Sequence, residues 1–496
     1  MRECLIALCV SAYIFTACTP TPTEVRQSDS LPPIYPDYCD VTIPENIAPL
    51  NFLLRGDCEA IQVEAGYAGV SPAAGDIILN ARGNEAVFDI DEWKNLLKQS
   101  AGKRIEVKVT ALMDGKWTEY KPFSWSIARE PIDPYLTYRL IEPDYEVWNH
   151  VQIQQRCLEN FEVNAIGHYE QLENRCMNCH TFANQDPQLS MMYVRGKGGG
   201  AILNQGGKLS KLDIPGSVYF GFSPSGRYIV YSTQQIIPAF HSLPSKRLEV
   251  YDAHSNVYVA DLQEHRIISS PLLSDSLEFE TFPTFSPDGK YIYYCAADSV
   301  SLPSDIKHLQ YSLVRIPFDE KTGTIGTRVD TLFPASPVSP VQYTALSAQS
   351  TKRSVCHPRV SPDGRHLLYT VASYGTFPIW HPEADLQLMD LQTRRIDTLA
   401  IVNSPKSDTY HSWSSNSRWF VFASKRDDGL YGKPYFCYID AQGHPHKPFC
   451  LPQEHPAFYD NCLKSFNAPE LGKGKVPFDT HDVAKAMKLP PIDFKR

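Results

Sequence analysis

The sequence predicts a mainly β fold built from more than one unit, on three observations. Short runs of alternating apolar residues dominate, with frequent aromatics and prolines between them. One strand–turn–strand unit recurs along the second half of the chain. Helical spacing is confined to brief stretches. A length of 496 residues leaves room for two or three cores. The net charge of −9 comes without a block of like charge, which argues against nucleic acid as a partner.

Residues 1–17 read as a lipoprotein signal peptide. Arg2 supplies a minimal positive start, and Cys4 to Phe15 form an apolar core too short to span a bilayer. Phe15-Thr16-Ala17-Cys18 resembles a lipobox, which makes Cys18 the expected lipidation site. Thr19-Pro20-Thr21-Pro22-Thr23 opens a polar, Pro-rich tether over residues 18–35. The expected location is the cell envelope, lipid-anchored, on the outer membrane facing the periplasm. No later stretch is apolar for long enough to be a membrane helix.

Residues 36–130 predict an immunoglobulin-like β sandwich. Ala60–Ala65, Asp76–Asn80, Arg104–Val109 and Lys121–Ile127 read as strands, and Asp114-Gly115 marks a hairpin turn. A helical turn is expected near Asp91 to Gln99.

Residues 131–215 read as a short, partly helical segment, with a helix over Glu146 to Glu159. At its centre stands Cys176-Met177-Asn178-Cys179-His180, the C-x-x-C-H pattern for covalent attachment of a c-type haem. Two thiols three positions apart add to the haem vinyl groups, and the next residue, His180, becomes the proximal iron ligand. The expectation is one covalent haem c held by Cys176, Cys179 and His180. Met191 or Met192, or else His168, would be the distal ligand. The glycine run at residues 196–200 lacks the ending of a phosphate loop and reads as a turn between strands. Cys39, Cys58, Cys157, Cys295, Cys356, Cys437, Cys450 and Cys462 could form disulfides or stay buried as small apolar residues.

The repeat begins at residue 216. Phe222-Ser223-Pro224-Ser225-Gly226-Arg227-Tyr228 recurs as Phe285-Ser286-Pro287-Asp288-Gly289-Lys290-Tyr291. Val360-Ser361-Pro362-Asp363-Gly364-Arg365-His366 repeats it, and Trp413-Ser414-Ser415-Asn416-Ser417-Arg418-Trp419 is a degenerate copy. Proline presets the turn's first φ and glycine accepts a positive one. These repeats resemble the TolB-like β-propeller family, which implies a propeller of five or six blades over residues 216–465 and a C-terminal tail over 466–496. With the haem motif, the chain resembles haem-bearing propeller lipoproteins of Bacteroidetes.

The function these readings imply is a membrane-anchored monohaem cytochrome that exchanges electrons with a redox partner docked on the propeller. The alternative is a TolB-like scaffold binding a protein or small ligand, with a structural or sensory haem. No catalytic residues are assigned, and a G-x-S-x-G nucleophile elbow is absent. His241, His254, His357, His381 and His411 are scattered through the propeller, where some could meet at a central channel.

Overall fold

The computed structural model describes residues 20–67, 75–142, 150–214, 216–243, 246–335 and 354–496. The signal peptide and Cys18 lie outside the described residues. Among them, no helix is long and apolar enough to cross a membrane. The chain is mainly β.

The N-terminal unit pairs a seven-stranded sheet with a three-stranded one. The strands read at residues 60, 76, 104 and 121 are present as Ala60–Tyr67, Ile77–Arg82, Arg104–Met113 and Phe123–Ala128. The expected helix is Ile90–Ser100, and Asp89 caps it by accepting the N–H groups of Asp91 and Glu92. Its buried Trp93 meets Trp125 edge to face at 5.2 Å. The tether is shorter than expected, because Arg26–Gln27 already pairs in parallel with Thr118–Glu119.

Residues 131–215 correct the expectation of a partly helical segment. The part of the expected helix that is described contains the strand Gln152–Cys157. This strand lies between Tyr135–Ile141 and Val163–His168, and the sheet is completed by Ser465–Gly472. A second four-stranded sheet runs from Met177–Ala183 to Lys208–Leu212. Four more sheets follow and carry the repeated turns. In those turns Ser223, Ser286 and Ser361 each accept the N–H of the positive-φ glycine three residues on. Their hydroxyls also accept the N–H of Tyr228, Tyr291 and His366.

The six innermost strands are Met177–Ala183, Ser217–Phe222, Glu278–Phe285, Ser354–Val360, Asp408–Trp413 and Ser465–Gly472. Each touches the next, and the last touches the first. The sheets therefore form a closed, six-bladed β-propeller. The C-terminal strand is the inner strand of the first blade, so ring closure hides a sheet edge that would otherwise be open. The tail therefore starts inside the propeller and only then crosses its surface, where Ile492 and Lys495 bridge to Leu212 and Arg266.

The N-terminal unit is fixed to the last blade through one continuous core that includes Trp125, Leu136, Trp419 and Phe449. Asp133 accepts the backbone N–H and the hydroxyl of Ser415, both at 2.7 Å, and Trp419 Nε1 donates to the carbonyl of Glu130.

Candidate functional site

Each inner strand departs from its neighbour at one shared level, where the six departures coincide; the second blade shifts again between Phe182 and Ala183. Ladder register shifts between Asn178 and Thr181, Val218 and Gly221, Thr281 and Thr284, Cys356 and Arg359, and Thr409 and His411. In the first blade it shifts opposite Asn467 to Glu470. The residue opening each bulge has left-handed backbone: Cys179, Tyr219, Phe282, His357, Tyr410 and Ala468, with φ between 45 and 52°. Three of these precede a proline, Pro283, Pro358 or Pro469, which has no N–H to lose from the ladder. A non-glycine residue held in this region costs about 1–3 kcal/mol, and such strain gathers at functional sites. Here it recurs around the propeller axis.

The bulges wall a central channel. One cavity, about 1170 Å³ including space open to solvent, takes lining from five of the six inner strands. It is walled by Tyr219, Phe220, Phe377, Trp380 and Tyr410, with Ile236 and Val250 from the long hairpin of the third blade. A second, more polar cavity continues toward the face that carries the repeated turns. His180, Phe220, His357, Arg359, Tyr410 and Ala468 line both and form the waist between them. His357 packs against Phe282, Tyr410 and Tyr219 at 4.0, 4.4 and 5.6 Å between ring centres.

Cations outnumber carboxylates in the aromatic cavity. Arg139, Arg195 and Arg359 line the aromatic cavity. Among the described residues none of these guanidiniums has a carboxylate at ion-pair distance. Arg139 donates to the neutral amides of Asn178 and Asn467, and Arg359 to the carbonyl of Pro358. Glu142, also in the lining, faces Lys464 at 3.7 Å. Burial pulls the Arg359 guanidinium below its ordinary range, with Glu470 opposing. Burial also holds His180 down to about 4 and His411 down to about 3, so both rings are neutral near pH 7. His357 is pushed well below its ordinary value by burial, with His411, Arg359 and Arg139 adding to it. Glu470, in the polar cavity, is raised to about 7 by burial, against the Phe182 N–H hydrogen bond, the nearby Arg359 charge and the Thr181 hydroxyl.

The residues singled out in the sequence divide as follows. Cys176, Cys179 and His180 do come together on the aromatic cavity. Of the propeller histidines, His357 and His411 reach the channel. His381 instead bonds Glu383, and the side chain of His241 is outside the described residues. Cys437 and Cys450 lie on neighbouring strands as thiols. The bulge residues Tyr219, Phe282 and Tyr410 and the arginines were missed. A signal was present, since Tyr219, Phe282, His357 and Tyr410 each stand four places before the repeated serine.

The donors do not fit the six-coordinate haem expected at His180. His180 lines the channel with both ring nitrogens unpartnered, so the test falls on the expected distal ligands. Met191 packs with Ala201, Leu203 and Leu212, and Met192 in a separate core with Ile153 and Ile202. His168 lies in the outermost strand of the first blade and stacks on Tyr169. None of the three lines the channel.

No protein-family model and no curated protein matches the chain. Several solved structures are similar at low identity. A puromycin-hydrolysing peptidase of Mycobacterium tuberculosis has 12% identity and a TM-score of 0.34, over 71% of this chain and 52% of that one. An acylaminoacyl peptidase of Pyrococcus horikoshii has 8% identity and a TM-score of 0.34, over 68% and 43%. A DUF4784 family protein of Bacteroides caccae has 9% identity and a TM-score of 0.28, over 74% and 95%. This chain thus spans about half the length of the peptidases, whose activities belong to those proteins.

The placement of the expected ligands corrects the expectation of a cytochrome with a covalent, six-coordinate haem c. The haem roles given to Cys176, Cys179 and His180, the distal roles of Met191, Met192 and His168, and electron transfer fall with it.

Proposed function

We propose that the propeller channel binds a small organic anion with a flat, apolar body. The observation that carries this reading is the set of three guanidiniums, without carboxylate partners among the described residues, facing a cavity walled by aromatic rings. Apolar pockets with a few convergent polar groups are the usual form of a small-molecule site. A buried cation calls for a counter-charge, and aromatic walls suit a planar ligand. Peptide hydrolysis has no comparable support. Among the described residues, histidine rings bond Thr42, Glu383, Asp440 and backbone groups, never a serine or cysteine side chain.

In the same reading Cys18 anchors the protein by lipid in the cell envelope, and the N-terminal unit is an immunoglobulin-like sandwich. The test is calorimetric titration of the purified protein with 1-naphthoate and with the uncharged 1-naphthalenemethanol. The expected result is at least tenfold tighter binding of the carboxylate, lost in Arg139→Gln/Arg359→Gln. Equal binding of the two probes, or no binding of either, overturns the proposal.

A further inference from the structure

His357 stands on the bulge ring with two ring nitrogens that the protein leaves unsatisfied, as does His180. Its backbone is left-handed at φ 52°, as at the other five bulges. The residue is 5% exposed, yet neither ring nitrogen has a hydrogen-bond partner. Buried polar atoms are nearly always satisfied, and the exceptions call for an explanation. It also lines both cavities, so its ring stands where the aromatic and polar halves of the channel meet. The rings of Phe282 and Tyr410 fix its position from two sides. An apolar ring would satisfy all of that packing. What only the imidazole adds is one N–H donor and one lone pair, both unused by the protein.

We infer that His357 is the specificity-determining residue of the channel, donating a hydrogen bond to the ligand's anionic head at the waist beside Arg359. The inference rests on the anion-binding reading above and deepens it. It places the head at the waist and the flat body between Tyr219, Trp380 and Tyr410. A site built to bond a polar group rejects ligands that lack one, because its own buried group is then left unpaired.

The test compares wild type, His357→Phe and His357→Gln in two measurements: titration with 1-naphthoate, and urea unfolding without ligand. His357→Phe keeps an aromatic ring and removes the donor. Its affinity should fall at least tenfold, while its unfolding midpoint stays level or rises because two orphaned nitrogens are gone. His357→Gln restores an N–H donor and should bind within about threefold of wild type. If His357→Phe does not fold, His357→Leu serves in its place. Binding by the Phe variant within twofold of wild type overturns the inference. So does an equal loss in the Phe and Gln variants together with a lowered midpoint, which would mark a structural role. Absence of binding in wild type overturns the channel reading itself.

Discussion

Ala468 offers a test of the bulge ring in which the expected sign runs against the usual rule. Glycine in place of alanine ordinarily weakens a strand by about 0.5–1 kcal/mol. Ala468 has φ 45° and precedes Pro469 in the bulge of the ring-closing strand. Left-handed backbone costs an L-residue about 1–2 kcal/mol, which glycine escapes. Against that gain stand the freedom glycine has in the unfolded chain and the loss of one methyl that packs beside Tyr410. The balance is a stabilisation of about 0.5 kcal/mol. Ala201, fully buried in the strand Gly200–Gln205, is the control. There glycine loses the methyl's burial and strand stiffness with no strain to relieve, at a cost of about 1–2 kcal/mol. Urea unfolding of the two variants and wild type, followed by tryptophan fluorescence, measures both changes. The midpoints should move in opposite directions. A loss at Ala468 as large as that at Ala201 would refute the left-handed bulge.

Three further outcomes are expected. Burial lowers His180 and His411, so their unfolded forms bind more protons below pH 6.5, and stability falls as pH drops from 6.5 toward 4 by about 1.4 kcal/mol per pH unit for each ring. Glu470 has the opposite sign: raised to about 7, it contributes most below 4.5 and loses that contribution as pH rises to 7. Glu470→Gln should therefore steepen the acid side between pH 4.5 and 6.5 by about 1.4 kcal/mol per unit in urea titrations; unchanged slopes would contradict the burial of Glu470. Asp133→Ala removes the acceptor of two Ser415 hydrogen bonds and should cost about 2–3 kcal/mol, read as a lowered unfolding midpoint. Gly364→Ala, at φ 74° with open space around it, should cost about 1 kcal/mol through backbone strain alone, with probe binding unchanged in titration.

Much of the fold was legible in residues with a strict backbone demand. Gly226, Gly289 and Gly364 take positive φ in the repeated turns, and their Ser-Pro partners made the blades visible. The first blade was not legible, and of the second only the strands either side of the glycine run were, because their chemistry differs. The second turns through Asn184 and Gln185, both left-handed, without the Ser-Pro-Asp-Gly pattern. The first borrows its inner strand from Ser465–Gly472, a pairing that local sequence cannot reveal. Cys176 to His180 drew notice by its spacing, and the spacing carried the reading to a cofactor. In the structure Cys179 and His180 occupy a bulge equivalent to His357-Pro358 and Phe282-Pro283. The arginines were invisible for a different reason. Arg139, Arg195 and Arg359 come from three blades, and no motif joins residues that meet only across a ring.

The most direct test of the channel is a crystal structure of the protein soaked with 4-bromo-1-naphthoate, with anomalous data collected at the bromine edge. One dominant bromine peak is expected in the aromatic cavity near Tyr219, Trp380 and Tyr410, with the carboxylate within hydrogen-bond reach of Arg359 and His357. A dominant peak outside the propeller channel, or an empty channel at saturating ligand, would contradict it.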